Sequence, residues 1–168
     1  MLSEWDIVLR VVVAALLGGL VGFDREARDK PAGVRTHAMV AAGAALFVGV
    51  SVLVSFDLES GGSQSARIDA SRVTAGVVTG VGFLGAGSII RRGGSVSGLT
   101  TAAGIWTVAA VGVAIAYGYW WVGVAGTSMV LLLQTGDYVA RRVGLGAPGD
   151  PDPVSYTHLR AHETGRHI

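Results

Sequence analysis

Apolar residues in this chain come in blocks long enough to cross a bilayer, separated by short polar loops. A helix needs about 20 mainly apolar residues for that task. Ile7 to Phe23 is the first block, and its one charge, Arg10, lies a turn from the end, where it is expected to snorkel to the headgroups. Thr36 to Phe56 is the second and Val73 to Ile90 the third. No charged residue occurs from Gly93 to Gly136, a stretch too long for one span. Tyr117-Gly118-Tyr119-Trp120-Trp121 divides it, because glycine permits a turn and the aromatics suit a headgroup belt. A fourth span near Leu99–Ala116 and a fifth near Trp120–Leu133 follow. The pattern predicts an all-α, polytopic transmembrane helix bundle of about five spans.

Orientation follows from the cations in the loops. One side holds Arg25, Arg28, Lys30, Arg35, Arg91, Arg92, Arg141 and Arg142; the other holds Arg10, Arg67 and Arg72. The positive-inside rule then puts the N-terminus out and the C-terminus in. On that reading Arg91-Arg92 marks the cytosolic end of the third span.

Composition agrees with a bilayer-embedded chain. Of the 168 residues, 51% are hydrophobic and 15% charged. A net charge of +1 offers no basic field for nucleic acid. The absence of cysteine excludes disulfides, thiolate nucleophiles and cysteine-based metal centres. The start, MLSEWD, lacks the positive region of a signal peptide, so the first block is expected to stay as an anchor.

Lipid tails are as apolar as leucine, so helices associate in membranes by close contact, which small residues allow. Gly18 and Gly22 are four apart, as are Gly76 and Gly80, and Gly82 and Ala86. With Gly85 and Gly87 they are candidate packing positions on the first and third spans. The density of Gly80, Gly82, Gly85 and Gly87 leaves two readings open: a very tight helix crossing, or an irregular helix lining a cavity.

The polar candidates gather at one interface. Asp24, Arg25 and Glu26 close the first span, and Arg35, Thr36 and His37 open the second. Asp24 or Glu26 is expected to pair with Arg35 and tie the two helices. The plainer reading is a set of solvated loop charges, and it is the better one for Arg28, Asp29 and Lys30. Thr100 and Thr101 stand where a helix N-cap would. Trp106 lies deeper than a belt prefers, and its indole N–H is expected to need a partner. Asp69 and Arg72 read as a local pair. No nucleophile–base pair, phosphate loop or metalloprotease helix is present, and GFLGAG has the wrong spacing for a dinucleotide fingerprint. We expect no catalysis and no metal site. Two acids alone make a poor Mg²⁺ cage.

After GAPGDPDP (146–153) the chain changes character. Val154 to Thr164 is also what one frame of a common transposase sequencing adapter encodes, so a translated scar is expected over 154–168, within a disordered tail over 144–168. His158, His162 and Glu163 imitate a metal site there.

Four ordered motifs resemble the MgtC/SapB family of bacterial inner-membrane proteins: Gly22-Phe23-Asp24-Arg25-Glu26, Ala32-Gly33-Val34-Arg35-Thr36-His37, Gly82-Phe83-Leu84-Gly85-Ala86-Gly87, and Gly98-Leu99-Thr100-Thr101-Ala102-Ala103-Gly104-Ile105-Trp106. The likeness covers residues 5 to 140. Asp24 stands where the family usually has glutamate, and Val34 where it has leucine. Gly104 replaces a different small or polar residue. The resemblance implies a multi-pass inner-membrane protein tied to growth at low magnesium and, in pathogens, to virulence. It implies that such proteins act by binding other membrane proteins, including ATP synthase and magnesium transporters. Three functions stand side by side: a non-enzymatic regulator of other inner-membrane proteins, a small transporter for Mg²⁺ or another ion, and a structural packing unit. The expected partners are the lipid bilayer, other inner-membrane proteins and a second copy of the chain, with no nucleic acid and no cofactor; Mg²⁺ is left open, without a ligand geometry to support it.

Overall fold

The computed structural model describes residues 3–60, 69–92 and 95–142. Five helices run through them: α1 (Glu4–Glu26), α2 (Val34–Ser60), α3 (Ala70–Gly87), α4 (Leu99–Ala116) and α5 (Trp120–Arg142). Between α3 and α4 lie two short antiparallel strands, β1 (Ile90–Arg92) and β2 (Ser95–Ser97). Arg67 and the expected tail over 144–168, with its scar and histidines, lie outside the described residues. The chain divides into one unit over Met1–Leu132 and a second over Leu133–Ile168, of which the described part is the end of α5.

Each helix starts and stops for a local reason. Ser3 and Asp6 form a reciprocal capping box at the start of α1. Asp69, expected to pair with Arg72, instead caps α3 by accepting the Ser71 N–H at 2.9 Å. A carboxylate in that position satisfies a backbone donor and faces the positive end of the helix dipole. At the other end of α3 the Ser88 hydroxyl donates to the Gly85 carbonyl at 2.7 Å, and the helix stops there. The third block was expected to stay helical to Ile90. Ile90 instead pairs with Ser97 and Arg91 with Val96, which supplies backbone partners to a short loop and leaves both arginines exposed. The all-α expectation is corrected by this ribbon. Gly118, at φ +83°, makes the turn between α4 and α5.

Three helices, α1, α2 over Val34–Phe56, and α4, are long and apolar enough to cross a membrane. They meet around Ala14, Val21, Ala41, Ala45, Val48, Val108, Ile115 and Ala116. A second cluster, Ala44, Val81, Ile105 and Ala109, joins α3 to α2 and α4. Most of these side chains are alanine or valine, so the helix axes come close and dispersion contacts hold them.

The glycines divide sharply. A Cβ on Gly18 would sit 2.6 Å from the His37 carbonyl oxygen, and one on Gly22 would sit 2.5 Å from that of Gly33. Gly112 of α4 presses on the Ala41 carbonyl in the same manner. Gly85 is in ordinary contact with Ala102. A Cβ on Gly76, Gly80, Gly82 or Gly87 would meet nothing within 4 Å. These four do not serve as packing positions within the described residues. The reason is helical phase: Val77, Val81 and Gly85 recur every four residues and form the contact stripe of α3, so glycines off that stripe point elsewhere. The irregular part of the other reading is corrected, since α3 is one unbroken α-helix, while Gly76 and Gly80 do line a groove against α2.

Two substitutions separate these classes. Gly22→Ala should destabilise the α1–α2 crossing by about 1–3 kcal/mol through overpacking. Gly76→Ala should be neutral or stabilising by up to about 1 kcal/mol, from helix propensity alone. Thermal melting of the purified protein in detergent reads both.

Candidate functional site

Where α1 ends, the chain turns back within a few residues. Asp29 and Ala32 adopt left-handed backbone, at φ 53° and 59°. Neither is glycine, so each carries a cost of about 1–2 kcal/mol that the surroundings must offset. The turn aims two consecutive carbonyls, of Pro31 and Ala32, back at Arg25.

Arg25 is buried, with only 4% of its surface exposed. Its NH2 group donates to the Thr101 hydroxyl at 2.6 Å and to the Pro31 carbonyl at 3.0 Å. Its Nε–H is shared between the carbonyls of Pro31 and Ala32 at 3.4 and 3.3 Å. One guanidinium thus joins the end of α1, the turn, and the first turn of α4. Thr101 is buried at 4% exposure and was expected to cap α4; it is the acceptor for this cation instead. The cap is Gly98, in left-handed conformation at φ +88°, where a Cβ would collide with the Ser88 carbonyl. Thr100 is exposed.

The acids take partners that the sequence did not suggest. Asp24 binds Arg28, one turn on, at 2.6 Å. Glu26 accepts the Val34 N–H at 3.0 Å and so caps α2 from the preceding helix. Arg35 is exposed and neither acid reaches it. The expected tie between α1 and α2 exists, but it runs from Glu26 to backbone. The physical reason is that a free helix N-terminus offers a fixed, unsatisfied donor, whereas a long exposed arginine must lose side-chain entropy to pair.

His37 is completely buried, and Nδ1 lies 3.1 Å from the Gly33 carbonyl. With Nδ1–H donating there, Nε2 is an acceptor, and it has no partner among the described residues; the Asp24 Oδ2 atom is likewise buried and unpartnered among them. Thr36 lines one end of a lateral groove between α2 and α3. Trp106 is half exposed on the outer side of α4, so it faces the surroundings rather than a partner inside the bundle.

A second clasp escaped the sequence reading. Arg10 NH1 donates to the Ala116 carbonyl at 2.5 Å, at the C-terminal end of α4. Arg10 was expected to reach for headgroups. Arg10 and Arg25 are fifteen residues apart, and so are their partners Thr101 and Ala116. At about 1.5 Å per residue both separations are about 22 Å, so the antiparallel α1 and α4 are pinned at both ends in one register. The signal available in the sequence was a charge inside an apolar block at a helix-matched distance from Arg25.

Among the described residues no group of three or more histidine, aspartate or glutamate side chains is placed to hold a metal ion. Apolar helices of spanning length, closely packed and clasped by arginine at both ends, define a helical membrane protein. The sequence pattern of the MgtC family matches residues 11–142, and the chain belongs to that family. It is 43% identical over 128 residues to YhiD of Escherichia coli (strain K12), named as a candidate magnesium transporter, covering 76% of this chain and 59% of YhiD. It is 44% identical over 144 residues to SrpB of Synechococcus elongatus, covering 80% of this chain and 76% of SrpB. It is 51% identical over 100 residues to MgtC of Brucella abortus, covering 60% of this chain and 38% of that protein. The chain therefore spans little more than half of YhiD's length. No solved structure matches it.

The clasp makes a sharp prediction. Thr101→Val removes an acceptor from a buried cation and should cost about 1–3 kcal/mol, while Thr101→Ser should retain most of it. In a double-mutant cycle with Arg25→Gln the two positions should couple, measured by reversible unfolding in mixed micelles.

Proposed function

We propose that this chain is a non-enzymatic, five-span protein of the bacterial inner membrane that regulates other membrane proteins by binding them. In this reading α3 and α5 complete the five spans, the N-terminus faces out and the C-terminus in. The resemblance to the MgtC/SapB family supplies the setting: growth or virulence at low magnesium, with ATP synthase or a magnesium transporter as the partner.

The observation that carries the reading is the use of the polar groups. Arg25 is taken up by two carbonyls and a hydroxyl, Glu26 by a backbone N–H, and Arg10 by a carbonyl. The space between α1, α2 and α4 is filled by small apolar side chains. Ion paths through membranes are lined with charges, carbonyls or water-filled space, and this core offers little of that. What it does offer is apolar surface: Phe23, Phe47, Phe83 and Trp121 are all more than 60% exposed. Such surface faces lipid or another helix.

A second reading, a small ion transporter, is favoured by one feature. His37 Nε2 and Asp24 Oδ2 are buried and unpartnered near the same end of the bundle. Ionisable groups at such depth often mark a path, and YhiD's name points to magnesium.

Two measurements divide the readings. Purified protein in liposomes with a Mg²⁺ gradient and an internal dye should show no flux. Reproducible flux that Asp24→Asn abolishes would establish the transporter. A photocrosslinker at Arg35 in native membranes should capture a different membrane protein; capture of the chain alone would overturn the regulatory reading.

A further inference from the structure

We propose that the groove between α2 and α3 holds the acyl chains of an anionic phospholipid whose headgroup lies against Arg35, Arg91 and Arg92. This assignment depends on membrane residence and not on the regulatory reading.

The groove has a volume of about 710 Å³. Its floor is bare backbone, because a Cβ on Gly43, Gly76 or Gly80 would meet nothing within 4 Å. Val40, Phe47 and Leu84 are among its walls. It runs from Thr36 to Phe47 along α2, a length of about 16 Å. The hydrocarbon core is about 30 Å thick, so the groove matches one leaflet. A transmembrane helix would need seating across both. Hydrocarbon chains fit that length.

Charge selects the headgroup. Arg35 immediately precedes Thr36, which lines the end of the groove nearest the start of α2. α3 runs antiparallel to α2 along the groove and ends at Gly87, and β1 carries Arg91 and Arg92 four and five residues further on. All three arginines are exposed, and none of their guanidinium groups has a hydrogen bond or ion pair among the described residues. The acids at this end are Asp24, Glu26 and Asp29; Arg28 engages the first and the Val34 N–H the second. Three free cations therefore sit at headgroup level beside a space for tails. A free phosphate would have no use for the apolar space, and a zwitterionic lipid would gain little from the arginines.

Delipidated protein, presented with phosphatidylglycerol or phosphatidylcholine of equal chain length, tests this by native mass spectrometry. Phosphatidylglycerol should be retained on the order of 100-fold over phosphatidylcholine, since each of the three arginines near a headgroup is worth about fivefold. Arg91→Gln with Arg92→Gln should lower that preference by about 25-fold, leaving the share of Arg35, and should leave helicity intact. Gly80→Leu, placed in open space, should displace both lipids, and Gly76→Leu repeats the test should the first variant fold poorly. Equal retention of the two lipids would overturn the proposal. So would arginine variants without effect, or leucine variants that keep bound phosphatidylglycerol. Leucine variants that instead dissociate a dimer would assign the groove to a second copy.

Discussion

A guanidinium that leaves water must find hydrogen bonds for its donors, and that demand organises one end of this protein. Arg25 is almost wholly buried and touches no carboxylate; its partners are the Pro31 and Ala32 carbonyls and the Thr101 hydroxyl. Neutral acceptors spare the second desolvation that a buried acid would cost. They also require the turn at Asp29–Ala32 to hold an unfavourable backbone, because only that shape points consecutive carbonyls inward. The strain and the clasp are two sides of one arrangement, and α1, the turn and α4 meet there.

The remaining contacts follow from the solvent. Inside a bilayer, burying valine against valine gains little over leaving it in lipid, so stability comes from distance of approach and from polar bonds. Gly18, Gly22 and Gly112 remove side chains where backbone carbonyls of the neighbouring helix pass. Arg10 and Arg25 then fix the register of α1 against α4, at both ends of α4, while the glycine contacts run from these two helices to the start of α2. In a water-soluble bundle the apolar stripe would set that register; here the stripe has little to say, and the polar ends decide.

This division of labour bears on function. A bundle whose charges are spent on itself has few left for chemistry, and what remains outward is a large apolar surface and a set of free arginines at one end. Such a surface is what lipid or another helix can contact, and the proposed regulatory role rests on it. His37 and Asp24 are the exceptions, each with one buried atom still wanting a partner.

Hydrophobic run lengths were enough to place all five helices, because about 20 apolar residues have few other uses, and α4 falls at its expected bounds, Leu99–Ala116. The family motifs were equally legible, and the cluster at the α1–α2 junction was found as a cluster. Its wiring was not. Arg25 binds Thr101 across 76 positions, Glu26 caps α2, and Arg10 reaches Ala116 across 106, pairings that no local spacing encodes. Nor could the sequence tell Gly22 from Gly76, since a missing side chain gives no sign of which way it faces. Composition and period determine what lies in the membrane; which donor meets which acceptor, and which glycine is a contact rather than a gap, depend on helix phase and register, which exist only once the helices are packed.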